Sequence, residues 1–357
     1  MAKCKRCSSS WKHLFLLFFL VSLPLQLSAA TDKPRELVLL NWADYMDPEL
    51  IGEFEKKFNA RVLTPYFESD DHRTRMLAQS GGKNYDLVIV DTPSISTYAK
   101  AGWLAKIDTD KTPNLQHIKA EWKNHAYMAS DYSVPFSWGT LGIAYREDLV
   151  SKIPDSWMDL FQPDETLHGK IAMYRNTIDL IGAALKALGY SINSTDPEAL
   201  KKVKKLLLEQ QPFVRTYDYL SLSEDSALVT GEVIASMFYS SDTVLLQEFN
   251  DNIKYVVPKE GSALWVDSIV VLKNSKNKDL VWQFIDFINQ PEHAARLAQF
   301  IYGPTPNKAA EVLLPEEFVG NPVIYPDATT LSKSEFNKPL PARIIRLRND
   351  IITLIPK

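Results

Sequence analysis

Short runs of consecutive apolar residues alternate along this chain with stretches whose apolar positions recur every three or four residues. Leu37-Val38-Leu39-Leu40 is the first run, the pattern of a strand buried on both faces. A helix start follows it: Asp47 can cap, Pro48 suits the first helical position, and Leu50, Ile51, Phe54 and Phe58 share one face. Further strands are predicted at 61–63, 86–91, 141–145, 170–173, 233–238, 253–257 and 268–272. Helices are predicted near 95–100 and at 180–188, 197–209, 280–288 and 292–300. Thr195-Asp196-Pro197-Glu198 opens one of them with a cap, a proline and a first-turn acid. Strands alternating with helices imply a largely parallel sheet covered on both faces. Residues 134–140 and 258–263 combine proline and glycine with little periodicity. Each fits either a hinge crossing between lobes or an ordinary surface loop.

The first thirty residues follow a different pattern. Lys3, Lys5, Arg6 and Lys12 precede the apolar run LFLLFFLVSLPLQL, and Ser28-Ala29-Ala30 follows it. That order describes a secretory signal peptide cleaved near Ala30; an uncleaved anchor is disfavoured because a spanning helix needs about 20 apolar residues. Export to the periplasm is therefore expected. Both cysteines, Cys4 and Cys7, lie in this leader, so the rest of the chain has neither a disulfide nor a thiol nucleophile. Removing 30 of 357 residues leaves 327, more than one hydrophobic core usually serves, and two lobes are expected. Cleavage also removes four bases from 40 and none of the 44 acids, so the net charge becomes −8. Such a surface argues against nucleic acid and is mildly favourable to cationic ligands.

No Gly-rich phosphate loop or nucleophile elbow is present, and Gly81-Gly82-Lys83-Asn84 lacks the spacing of the former. Histidines 72, 117, 125, 168 and 293 have no second ligand at metal spacing. No enzyme, cofactor or metal site is expected. What recurs at the strand ends is a mixture of aromatic rings and aspartates. Trp42, Asp44 and Tyr45 follow the first strand, and Asp91 and Thr92 end another. Asn176 and Asp179, then Tyr239 and Asp242, follow two more, while Trp265 and Asp267 lead into the last. Ligands of open α/β sheets sit outside the carboxyl ends of strands. A buried ammonium must meet a carboxylate, and methylene chains favour flat rings whose faces also attract cations. This mixture therefore suits a linear polyamine, although any one ring could be core and any one aspartate a helix cap.

The segments NWADY at 41–45, YDLVIVDT at 85–92 and VPFSWGTLGIAY at 134–145 are specific in combination. So are LKALGYSINSTDPEAL at 185–200, VPKEGSALWVDSIVV at 257–271, GPTPNKAA at 303–310 and YPDATTL at 325–331. Together they resemble the periplasmic spermidine/putrescine-binding proteins of bacterial polyamine uptake, over essentially the whole length after the leader. The resemblance implies an α/β, two-lobed periplasmic binding protein fold with mixed sheets, flanking helices and a ligand cleft at a hinge. Residues 31–138 with 266–312 would form lobe 1, and 139–265 with 313–357 lobe 2. It implies that Trp42 and Tyr45 stack along the methylene chain, that Asp179 pairs with one amine, and that Asp267 holds another beneath Trp265. Asn337 falls where the family has a glutamine. Departures from the family pattern place Asp91 where a serine is usual, Pro93 for a tyrosine, Asn176 for an aspartate and Tyr239 for a tryptophan. A shifted amine spacing is expected, with triamines preferred if Asp91 faces the cleft. The implied role is a monomeric receptor that hands polyamine to an inner-membrane permease. The alternative is a norspermidine-type sensing subunit that docks on a membrane signalling protein controlling cyclic-di-GMP.

Overall fold

The apolar runs become strands of one continuous mixed sheet. A computed structural model describes residues 33–123 and 131–356; the leader at 1–30 and His125 lie outside the described residues. The strands are β1 (Arg35–Leu40), β2 (Ala60–Leu63), β3 (Leu87–Asp91), β4 (Ser133–Arg146) and β5 (Ile171–Ala172). They continue with β6 (Val214–Thr216), β7 (Ala235–Tyr239), β8 (Ile253–Val256), β9 (Ala263–Val271) and β10 (Glu335–Phe336). Their order is β2-β1-β3-β9-β4-β7-β5-β6, with β10 beside β9 and β8 beside β4. Parallel pairing joins β1 to β2 and β3, and β5 to β6 and β7. Antiparallel pairing ties β9 to β3 and β4, and β4 to β7 and β8.

Alternation along each strand divides its side chains between two cores, one on each face of the sheet. On the β1–β3–β9 side, Leu37, Leu39, Leu87, Ile89, Ile269 and Val271 enter one core, closed by Phe54, Phe284 and Phe287. Their neighbours Leu40, Val88, Val90, Val270 and Leu272 enter the opposite one with Phe67 and Tyr98. On the other side, Leu141, Ile143, Ile171, Met173 and Met237 pack with Trp157, Leu160 and Leu200, while Ala144, Ala172 and Phe238 face the other way. The sheet thus serves two separate pairs of cores, which is the two-lobed α/β architecture.

Two strands belong to both sides. Ser133–Thr140 of β4 pairs with β9, and Leu141–Arg146 pairs with β7 or β8. The stretch 134–140 is therefore no surface loop; it is unbroken strand with one irregularity between Pro135 and Ser137. Proline, glycine and buried hydroxyls hid it, because Ser137 and Thr140 are fully buried and break the apolar run that marks a strand. Residues 258–262 do form the connection from β8 to β9. Another element escaped the pattern altogether: the helix Asp70–Ser80 buries only Arg73 and Leu77, so it shows no apolar stripe.

The connection at 258–262 is a tight fit. Gly261 has φ +82°, and a Cβ there would sit 2.0 Å from the Lys333 carbonyl oxygen. Glu335 N–H donates to the Ser262 carbonyl at 2.8 Å just beyond it. Gly261→Ala should therefore destabilise the fold by about 2 kcal/mol or more, through backbone strain as well as collision. Denaturant unfolding checks this, and an unchanged midpoint would refute the packing described for this turn.

Candidate ligand-binding site

The parallel strands deliver their carboxyl ends to one place, and the two shared strands run through it. After β1 come Trp42 and Tyr45; β3 ends on Asp91; β5 leads to Tyr174, Asn176 and Asp179; β7 ends on Tyr239, two residues before Ser241-Asp242. Trp265 and Asp267 lie in the middle of β9, opposite Gly139 and Ser137 of β4. Asp91 and Asp267 face each other directly across the β3–β9 ladder. Like charges in such a pair repel, so each needs compensation. Asp267 accepts from the Tyr45 hydroxyl, which also interacts with Ser137. Asp91 is ion-paired with Arg73.

A second cluster forms at the ends of β5 and β7. The Tyr239 hydroxyl donates to Asp179 Oδ2 at 2.7 Å, and the Tyr219 hydroxyl donates to Asp242. The rings of Tyr174, Tyr219 and Tyr239 lie edge-on or tilted at centroid separations of 4.9 to 6.4 Å. Trp265 meets Tyr239 edge-on at 6.1 Å. Its indole lies across β4, where a Cβ on Gly139 would fall 2.4 Å from the ring. The indole Nε1 is buried without a partner among the described residues, so packing alone orients this ring.

The acids are coupled electrostatically across the crevice. Burial pushes Asp267 up to about 7, with Asp70 and Asp91 adding to it and Arg73 and Tyr45 opposing. Burial raises Asp179 to about 6 against the Tyr239 hydrogen bond, with a further push from Asp91. Burial likewise raises Asp242 to about 6 despite the Tyr219 and Ser241 hydrogen bonds. Asp70 is raised by its surroundings and by Asp91, although a third of its side chain is open to water and Arg73 pulls the other way. Tyr45 is held well above the usual phenol range, by burial first and Asp267 second. Aspartates 70, 91, 179, 242 and 267 thus share one field, with Arg73 among them as counter-charge. Asp179, Asp242 and Asp267, raised by burial first and in Asp179 and Asp267 also by neighbouring carboxylates, are poised to accept a cation. Among the described residues, no group of three or more His, Cys, Asp or Glu is arranged to hold a metal ion.

The residues expected from the chain fall into several groups. Tyr45, Asp91, Asp179, Tyr239, Trp265 and Asp267 converge as described. Trp42 is half-buried against Phe67 at 4.3 Å, on the same β1 end as Tyr45. Thr92 is buried and donates to the Val266 carbonyl at 3.3 Å, a strand-to-helix brace. Asn176 turns its Oδ1 to the Ile178 and Asp179 amides at 2.8 and 3.2 Å, so it fixes the helix start that presents Asp179. Asp44 is exposed at φ 51°, shaping the turn between Trp42 and Tyr45, and a buried-ammonium role does not fit it. Asn337 is half-buried directly after β10, next to β9. Asp91 is a correction of another kind: its charge is met by Arg73 and is not an extra free acid. Asp70, Arg73, Tyr174, Tyr219 and Ser137 went unread; of these only Tyr174, directly after the predicted strand 170–173, was legible from position.

A family of bacterial extracellular solute-binding proteins matches this chain over residues 49–323. A spermidine/putrescine-binding periplasmic protein of Salmonella typhimurium is 30% identical over 328 residues, 91% of this chain and 93% of that protein. A putrescine/cadaverine-binding protein of Pseudomonas aeruginosa is 28% identical over 96% of this chain and 99% of its own length. The solved structure of a putative spermidine/putrescine ABC transporter protein from Listeria monocytogenes superposes with a TM-score of 0.83, at 30% identity. That match covers 90% of this chain and 98% of the other.

The raised carboxyls give ligand-free stability a definite pH slope. Asp179, Asp242 and Asp267 bind protons more tightly folded than in an unfolded chain, where carboxyls titrate near 3.9. Between about pH 4 and 7 the folded protein therefore holds more protons, and stability falls as pH rises through that window. The surface acids held low, Asp148 and Asp225 among them, titrate below it. Thermal unfolding without ligand should show a lower midpoint at pH 7.5 than at pH 5, with the difference reduced in Asp267→Asn. A midpoint that rises over this range would contradict the electrostatics described.

Proposed function

Because the chain belongs to the bacterial extracellular solute-binding proteins, we propose that it is a periplasmic polyamine receptor that closes on a linear polyamine and delivers it to an inner-membrane ABC permease. One observation carries this reading: five aspartates and several tyrosine and tryptophan rings gather where β1, β3, β5 and β7 end and β4 and β9 cross. An ammonium entering there replaces its water with carboxylate oxygens, and its methylene links lie on aromatic faces. The Tyr45–Asp267 and Tyr239–Asp179 hydrogen bonds hold the acceptors in place before ligand arrives, which lowers the cost of ordering them.

The crevice divides at β4 and β9. Tyr45, Asp91 and Asp267 stand on the β1–β3 side, and Asp179, Tyr239 and Asp242 on the β5–β7 side. Lobes of 31–138 with 266–312, and 139–265 with 313–357, would rotate about the shared strands and trap the ligand between these groups. One feature adjusts that division: Tyr325, Leu331 and Phe336 pack against the β1–β3–β9 core, so the stretch around them would travel with the first lobe. Residues 1–30 would be the export signal. The sensing role set beside transport draws no support from the relatives, whose names describe binding proteins and transporters.

Isothermal calorimetry on the exported form with putrescine, cadaverine, spermidine, norspermidine and spermine tests the reading. At least one should bind, and Asp267→Asn should weaken it tenfold or more, about 1.4 kcal/mol, by leaving an ammonium under-paired. A bound cation lowers the carboxyl pKa values, so binding should release protons near pH 6 and affinity should rise from pH 6 to 7.5. Gly139→Ala should weaken binding through displacement of Trp265 while leaving the secondary structure intact. No heat or thermal shift with any of the five amines would sink the proposal.

A further inference from the structure

Resting on the polyamine reading above, we propose that Arg73 is a built-in cation that occupies the Asp91 end of the crevice, and that it limits how many amines a ligand can place there. Arg73 reaches in from the helix Asp70–Ser80 and has no exposed surface. Its Nη1 donates to Asp70 Oδ1 at 2.7 Å, and its Nη2 donates to Asp91 and to Ser94 Oγ at 2.7 Å. Its Nε donates to the Tyr98 hydroxyl at 3.3 Å. The guanidinium lies over the Phe67 ring at 5.2 Å and the Tyr98 ring at 5.9 Å, and Phe67 in turn packs against Trp42. Two carboxylates, two hydroxyls and two ring faces are the surroundings a polyamine nitrogen requires; here a side chain already fills them.

The position of this cation gives it a say in ligand choice. Asp91 is the direct cross-strand neighbour of Asp267, so Arg73 neutralises the acid nearest to one expected to meet the ligand. Arg73 is ion-paired with both Asp70 and Asp91, so the three groups keep one net negative charge, and Asp267 is the acid on this side that Arg73 does not pair. An arginine serving only to hold the fold would affect every ligand alike. One that closes an amine subsite changes the ratio between long and short polyamines, since each added ammonium gains only where an unpaired carboxylate awaits it.

Calorimetric dissociation constants for putrescine, spermidine and spermine should therefore be measured on the wild type and on Arg73→Gln, Arg73→Lys, Asp91→Ser and the Arg73→Gln/Asp91→Ser double variant. Arg73→Gln frees Asp91 and should raise the spermine-to-putrescine affinity ratio tenfold or more. Arg73→Lys keeps the charge and should hold the wild-type ratio within about threefold, as should the double variant, which removes both charges. Asp91→Ser alone leaves surplus positive charge and should lower the ratio. It serves as the deciding variant if Arg73→Gln does not fold. Ratios unchanged in Arg73→Gln, or in Asp91→Ser where that is the deciding variant, would overturn the assignment while leaving polyamine binding intact. Failure of the wild type to bind any of the three would instead remove the reading on which it rests.

Discussion

Burial of several carboxylates in one place, with repulsion between some of them added, is the constraint around which this protein is arranged. In water each of Asp179, Asp242 and Asp267 would ionise well below neutral pH; buried, they keep protons up to about 6 or 7, and nearby carboxylates add to the push on Asp179 and Asp267. A fold that tolerates this must hold the groups rigidly and must gain its stability elsewhere. Tyrosine hydroxyls do the first by donating to Asp267, Asp179 and Asp242. These bonds favour the ionised form without supplying a cation, so the electrostatic deficit remains for a ligand to relieve.

Stability comes from the cores on both faces of the sheet, where leucine, valine and isoleucine of β1, β3 and β9 are sealed by phenylalanines. The same sheet solves the positioning problem. Parallel strands on either side end at the crevice, and β4 and β9, common to both sides, run through it and bring Ser137, Gly139, Trp265 and Asp267 into register. Gly139 is small for a reason visible only in that register, since the Trp265 indole occupies the space its Cβ would take.

The β3–β9 ladder adds the sharpest local conflict, two aspartates placed directly opposite one another. The protein resolves it asymmetrically. Asp91 receives a permanent partner in Arg73, whereas Asp267 receives only a neutral phenol. Burial pulls the Arg73 guanidinium down, but Asp70, Asp91 and Tyr98 outweigh it and hold the cation charged. One acid is thereby committed to the protein and the other is left for what enters the crevice.

Much of this was readable from the chain alone, because burial leaves its mark on residue order. Continuous apolar runs announced β1 and β3, and an apolar face announced the helix Lys278–Ile288. The meeting of rings with aspartates at strand ends pointed to Tyr45, Asp179 and Tyr239, and to Trp265 and Asp267 ahead of a strand at 268–272, although the fold places these last two inside β9. Other features were decided only by tertiary contact. The first half of β4, residues 134–140, carries too many polar, glycine and proline positions to look like a strand until it pairs with β9. The helix of Arg73 has no apolar period, since what it buries is a charge, and a charge is buried only where distant carboxylates await it. Local patterning records which residues leave water; which opposite charge each then meets depends on strand pairings between residues far apart in sequence, and that is why Asp91 looked free in the chain and is paired in the fold.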